Sequence, residues 1–327
     1  MMIKRLVLIF VCLLLFLASL FHGSVEISVA EVFRALVGHG TGTDSYIIVY
    51  SRLPQALTAL LAGSALAVSG LLLQTAFRNP LAAPDIFGVT GGASLAVALL
   101  TLAPGAVFGG ILGYLSSVVA AFVGALSVTA LIWSFSRKVR SSVLLIIIGM
   151  MVGYLCSSLI TLLNASATEE GIRNFVVWGM GSFSSVSLSE LPLFALLTTG
   201  ALCATLLLVK PLNALLLGPQ YAESLGINVR RVRNELLMLT GLLTAVVTAF
   251  CGPVAFIALA VPHMARLYSG SGDHRVLLPV TLVMGSAVAL LCNFVSTLPS
   301  GGTVLPLNAV TPLIGVPVIV YVLVRRK

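Results

Sequence analysis

Residues 52–78 read RLPQALTALLAGSALAVSGLLLQTAFR, with an arginine at each end and twenty-five uncharged, mostly apolar residues between them. A hydrocarbon core of about 30 Å takes roughly 20 apolar residues to cross as a helix. The stretch is therefore one crossing with a positive charge at either margin. Strands of a transmembrane barrel are about ten residues long and alternate with a period of two, and this run does neither. The fold is all-α.

Working outward, the charged residues mark further intervals of the same kind. Arg5 to Glu26 encloses twenty uncharged residues, enough for one crossing. Asn79 to Ser136 holds only Asp85 and has room for two, turning at Ala103-Pro104-Gly105. Arg140 to Glu169 and Glu190 to Lys210 supply one each, and the forty-nine uncharged residues between Arg275 and Arg325 supply two, turning near Pro299-Ser300-Gly301-Gly302. That makes eight. Composition agrees, with 59% hydrophobic and 9% charged residues against about 25% charged in a soluble domain.

Charge placement orients the chain. With the N-terminus cytoplasmic, the segments around Lys4-Arg5, Arg78, Arg137-Lys138-Arg140, Lys210 with Arg230-Arg231-Arg233, Arg266 with Arg275, and Arg325-Arg326-Lys327 all face inward. Only Arg34, Arg52 and Arg173 are left outside, as the positive-inside rule requires. This puts both termini on the cytoplasmic side of the membrane. The net charge of +8 then needs no nucleic acid partner.

The same assignment makes both flanks of Leu236–Ala265 cytoplasmic, although these thirty uncharged residues fall short of the roughly forty that two full crossings need. One span followed by a short, broken one is expected, with the outer break at Gly252-Pro253 and Pro262 near the inner end. A single kinked span is the alternative, and it would turn the basic C-terminus outward. Ten crossings are expected in one transmembrane domain, 1–327. Residues 1–20 also have the basic start and apolar core of a signal peptide, but cleavage near Leu17-Ala18-Ser19 would leave an odd number of spans.

Much chemistry is absent from the sequence. Cys12, Cys156, Cys203, Cys251 and Cys292 stand singly in apolar segments and read as small core hydrophobes, with no metal site. Ion-coupled carriers place carboxylates or histidines inside the bundle, whereas here no Asp, Glu, Lys or Arg is expected near mid-membrane. His263 reads as a packed or capping residue. No G-x-x-x-x-G-K-[ST] phosphate loop, H-E-x-x-H or G-x-S-x-G is present, so the chain is read as neither an ATPase nor another enzyme. No ring of charges or filter-like repeat marks a channel. Pairs such as Gly109/Gly113 and Gly149/Gly153 let helices pack closely.

The positive signal is the segment 210–235, KPLNALLLGPQYAESLGINVRRVRNE. Gly218-Pro219 and Gly226 divide it into two very short helices. Its Leu215-Leu216-Leu217 run is out of place in a plain cytoplasmic connection and suits docking to a partner.

This segment resembles the coupling loop of the FecCD family of ABC-transporter permeases, the membrane subunits that import ferric siderophores, haem and cobalamin. The resemblance covers nearly the whole chain. It includes RLP at 52–54, SGLLLQTAFRNPLAAPDIFGVTGGAS at 69–94, VVWGMGSFSSV at 176–186, CGPVAFIALAVPHMARL at 251–267 and DHRVLLP at 273–279. It implies ten helices per subunit, two permease copies forming a homodimer, two ABC ATPase subunits carrying ATP and Mg, and a periplasmic or lipoprotein substrate-binding protein. No cofactor is then bound by this chain.

Residue by residue, the resemblance implies that Leu217, Gly218, Tyr221, Ala222, Glu223, Ser224, Leu225 and Gly226 seat in the ATPase. Relatives often carry an acid where Pro219 stands. Arg52 matches an arginine at the outer mouth that pairs with a carboxylate of the binding protein in relatives; an interfacial anchor is its other reading. A second mouth arginine is missing at Thr297, and the usual acids are replaced by Asn293 and Val304, so docking there is expected through Arg173 or the backbone of Ser300-Gly301-Gly302. Ser141 and Ser142 fall at the cytoplasmic gate of relatives, although close helix packing would equally explain them.

The resulting expectation is the permease subunit of an importer of an iron chelate such as a ferric siderophore, with cobalamin or haem as the alternative inside the family. A proton-coupled secondary carrier and a membrane scaffold or sensor are the alternatives from other classes.

Overall fold

The computed structural model describes residues 2–23, 25–40, 42–103, 110–139, 141–298 and 304–325. The expected turns at Pro104-Gly105 and at Pro299–Gly302, and the backbone at Ser300–Gly302, lie outside these residues, as do Gly109, Arg140, Arg326 and Lys327.

Among the described residues the chain is helical throughout. α1 is Met2–Phe21, α2 Val29–Leu36, α3 Gly42–Ile47, α4 Leu53–Ala76, α5 Val89–Thr101, α6 Gly110–Lys138, α7 Ser142–Ala165 and α8 Glu169–Gly179. α9 is Leu191–Leu206, α10 Val209–Leu216, α11 Pro219–Ser224, α12 Val229–Cys251, α13 Ile257–Ser269, α14 His274–Ser296 and α15 Leu307–Arg325. The helices that stand where the ten crossings are expected differ in length. Six are long and apolar enough to span by themselves, and α9 with α10 forms a seventh, bent by 54°. α5, α13 and α15 are the shorter three.

The second crossing starts earlier than the sequence suggests, because α3 runs through a π turn at Ile48–Arg52 into α4 as one 35-residue rod. The extra residue of a π turn rotates the side chains beyond it about the helix axis, and here Ile48 and Arg52 are buried together.

α4 is the central post, with nineteen of its twenty-four residues buried. It is surrounded by α9, α12, α13 and α14, while α6 and α7 flank α5. Small residues make this packing possible. A Cβ on Gly63 would stand 2.3 Å from the Gly285 carbonyl oxygen and one on Gly285 the same distance from that of Gly63; Gly92 and Gly124 form a similar pair between α5 and α6. The pair Gly149/Gly153 serves differently from the helix packing expected of it, for it receives the backbone of Phe87 and Gly88 in the loop before α5.

The break between α12 and α13 falls where expected. Gly252 leaves α12 at φ 72°, and Phe256 opens α13 at φ 67°, a region that bulky residues seldom occupy. Irregular backbone at membrane depth must be satisfied by protein groups, and Asn308 of α15 does this. Its Oδ1 accepts from Ala255 N–H at 3.1 Å, and its Nδ2 donates to the carbonyls of Pro253 (2.8 Å) and Gly179 (2.9 Å). Pro262 lies within α13, which continues to Ser269, and His263 is buried with Nε2 2.8 Å from the Pro80 carbonyl.

Candidate functional site

At the end of the bundle where Arg78, Lys210 and Arg275 stand, here called the basic end, the segment after α9 folds as two short helices. Gly218, at φ 111°, turns the chain so that Pro219 opens α11. Proline at a first helical position sacrifices no hydrogen bond, so the residue that departs from the usual pattern stiffens this corner. Gly226, at φ 80°, reverses the chain after α11, a conformation that favours glycine. Ala222 is wholly buried beneath the corner, whereas Leu217, Tyr221 and Leu225 are 64%, 52% and 56% exposed. Together with exposed Glu223 and Ser224 they make an apolar ridge with polar edges, the composition of a docking surface.

The ridge is tied into the bundle. Asn213 of α10 donates from Nδ2 to Asp273 Oδ1 at 2.6 Å, and its Oδ1 accepts from the backbone N–H of His274 at 2.8 Å and from His274 Nδ1 at 2.9 Å. His274 Nε2 lies 3.0 Å from the Thr75 hydroxyl in the last turn of α4, a hydroxyl that also donates to the Leu71 carbonyl at 2.9 Å. Beside Thr75, Gln74 accepts from Arg266 of α13 at 2.6 Å and donates to the Leu259 carbonyl at 3.2 Å. Asp273 caps α14, and the Arg275 N–H and the Asn213 amide hold its carboxyl below the usual carboxylate range. Polar bonds therefore join α10 to α14 and α14 to α4, while a neighbouring pair joins α4 to α13.

At the opposite end, Arg52 is not at the surface. It is 5% exposed, and its guanidinium donates to the carbonyls of Leu20 (2.9 Å), Phe21 (3.0 Å) and Val25. Those are orphan acceptors at and beyond the C-terminus of α1, so Arg52, expected as a docking residue, caps α1 in this structure. Arg173 is exposed on α8, one turn beyond Glu169 and Glu170. Asn293 is buried and accepts from Gln55 Nε2 at 2.8 Å, and Thr297 caps α14. Val304 is 57% exposed.

Ser141 caps α7, its hydroxyl accepting from Leu144 N–H at 3.3 Å, and Ser142 is the first helical residue. Only Leu145, Gly149 and Cys156 of α7 are buried. Val143, Leu144, Ile147, Met151, Tyr154 and Leu155 are exposed, so most of α7 offers an apolar face to lipid or to another chain.

Between α5, α13 and α15 lies a cavity of about 390 Å³ lined by Asp85, Thr90, Pro253–Phe256, Leu259 and Asn308. Its floor is the loop before α5. Phe87 Cα lies 2.8 Å from where a Cβ on Gly149 would stand, seven residues or about 10 Å into α7. Asp85 thus belongs to a loop that packs against the side of α7.

A sequence model of the FecCD transport family matches residues 11–325. The chain belongs to the FecCD transport family. This FecCD chain is 36% identical over 277 residues to the vitamin B12 import system permease protein BtuC of Klebsiella pneumoniae, covering 84% of the chain and 82% of the relative. It is 32% identical over 326 residues to the hemin transport system permease protein HmuU of Yersinia pestis, covering 99% and 96%. Its fold matches a solved metal-chelate type ABC transporter, described as inward-facing, with a TM-score of 0.83, 30% identity, and coverage of 98% of this chain and 99% of the other. It is an ABC-importer permease.

In this FecCD permease the eight loop residues singled out from sequence form one continuous corner, with Ala222 and Gly218 beneath it and the others at its surface. Arg52 and Arg173 stand on different elements, and only Arg173 is exposed. Sequence reasoning missed Asn213, His274, Thr75 and Asn308. A signal existed for two of them, since Asn213 and His274 each sit beside a predicted helix boundary. Of the cysteines, Cys12, Cys156, Cys251 and Cys292 are buried and Cys203 is exposed on α9. No cluster of metal-binding side chains occurs among the described residues.

Proposed function

We propose that this chain is the permease half of an ATP-driven importer of a large metal chelate, an iron chelate before cobalamin. The relatives' named cargoes, vitamin B12 and hemin, and the metal-chelate type of the structural neighbour support a chelate of this size. The basic end faces the cytoplasm. There, separate ATPase subunits carrying ATP and Mg dock on the ridge of Leu217, Tyr221 and Leu225. A substrate-binding protein docks at the opposite end, with Arg173 as its charged contact. A second copy of the chain packs on the exposed face of α7, and Ser141 and Ser142 stand at the inner end of the path between the copies.

The observation that carries this reading is the exposed ridge tied through Asn213 to the start of α14, whose His274 in turn meets Thr75 of α4. A ridge so connected can pass ATPase closure into the bundle as a rigid displacement.

The test is purification of the tagged chain from its own membranes in mild detergent, followed by mass spectrometry, ATPase assay and chelate uptake in vesicles. A stoichiometric ATPase and uptake that requires ATP are expected. Uptake that collapses with the proton gradient and survives loss of the ATPase would establish a secondary carrier instead.

A further inference from the structure

A second groove lies on the α12 side of the ridge-bearing segment. It has a volume of about 800 Å³ and lies between the C-terminal turns of α6 and the N-terminal turns of α12, whereas α10 packs on α4 and α14. Arg137 and Lys138 border it from α6, and Arg230 and Arg231 from α12. Trp133 and Met238 form its deeper wall.

We propose that this groove binds the headgroup of an anionic phospholipid. Three features of the site select that ligand. The first is charge. Four basic side chains converge, and the one carboxylate on the lining, Glu235, pairs with Arg231 at 2.9 Å. Among the described residues, Lys138 and Arg230 have no ion pair, and the guanidinium of Arg137 lies 5.1 Å from the Trp133 ring centre. The exposed N-terminal turn of α12 adds the positive end of a helix dipole.

The second feature is depth. The charges sit at the helix ends, Trp133 lies five residues from the end of α6, and Met238 lies nine residues into α12. These offsets correspond to about 7 Å and 13 Å along the helices. The headgroup layer is itself about 5–8 Å thick on each side of the hydrocarbon core. A lipid standing in the groove would place its phosphate among the cations, its glycerol beside the indole and its upper chain against Met238. Tryptophan is enriched at this level of a bilayer.

The third feature is access. Leu131 on α6 and Met238 on α12 are exposed beside the groove, so it opens on the apolar perimeter through which a lipid enters laterally. A soluble phosphate needs no such apolar wall.

The test uses one of the chain's two tryptophans, Trp133 and Trp178. In the full-length Trp178→Phe variant in nanodiscs of phosphatidylcholine, a few per cent of brominated phosphatidylglycerol should quench Trp133 far beyond its share of the lipid, and brominated phosphatidylcholine only in proportion to it. Combined substitution of Arg137, Lys138 and Arg230 by Gln should weaken the preference on the order of a hundredfold, at about fivefold per basic side chain. The same charge change made at Lys4, Lys210 and Arg275 should leave it intact.

Native mass spectrometry of the unsubstituted chain gives the second reading, with anionic lipid retained by it and lost from the groove variant. Equal quenching by the two brominated lipids would overturn the proposal. Relief of the quenching by millimolar inorganic phosphate would do so as well, since the ligand would then be a soluble anion.

Discussion

Asn213 Oδ1 accepts two hydrogen bonds from one residue, His274, at 2.8 Å from its backbone nitrogen and 2.9 Å from Nδ1. A single amide thereby fixes both the start of α14 and the tautomer of a fully buried imidazole, and it sits on the short helix that leads into the exposed ridge.

Asn213→Ala leaves the His274 ring nitrogen and Asp273 without their amide partner. A buried polar group stripped of its bond costs about 1–3 kcal/mol, so the melting midpoint in detergent should fall. Uptake per ATP hydrolysed should fall further than stability alone explains, since α10 then moves without α14. An unchanged ratio in a folded variant would exclude the relay.

Leu217→Glu tests the ridge itself. The side chain is 64% exposed, so folding should be preserved, with an unchanged gel-filtration profile and melting midpoint. Co-purification of the ATPase should be lost, because a carboxylate would be buried unpaired at the contact.

Asn308→Leu removes the support of the broken segment between α12 and α13. Three bonds disappear, and at about 1–3 kcal/mol for each group left unsatisfied the variant should accumulate poorly and be cleaved in limited proteolysis near residues 252–256. Normal yield and protection would show that the break holds itself.

Gly70→Ala tests the central post. An added Cβ would stand 1.7 Å from the Ala258 carbonyl oxygen, and backbone cannot yield as a flexible side chain does, so destabilisation of at least about 1–3 kcal/mol is expected. Gly200→Ala, where the added carbon meets no other part of the chain within 4 Å, should melt with the parent or slightly above it, since Ala is favoured over Gly inside a helix by about 0.5–1 kcal/mol.

Arg52→Met and Arg173→Ala should separate two roles at the outer end. The first strips the cap from α1 and should lower stability while sparing affinity for the binding protein in the surviving fraction. The second should leave stability unchanged and weaken that affinity, more so at low salt, where a surface charge acts over a longer range.

Much of this protein is legible along the chain because a bilayer imposes a one-dimensional rule. Apolar length marks crossings, basic residues mark one face, and both act on contiguous residues, so the long spanning helices, the break at Gly252-Pro253 and the divided corner at Gly218 could be read in order. The bonds that join Asn213 to His274, Asn308 to the 253–255 backbone, and Arg52 to the end of α1 pair residues thirty to sixty apart with no periodic signal between them. Such pairings exist only once helices are packed, because a polar group buried by packing must find its partner wherever the neighbouring helix presents one. Arg52 shows the difference most plainly: at a span margin it looks like a surface charge, and a π turn five residues long rotates it inward. Sequence alone determined that the chain is a helical membrane bundle with one divided, glycine-punctuated corner; tertiary structure decided which polar residues hold the helices together, since that depends on what each helix face meets in three dimensions.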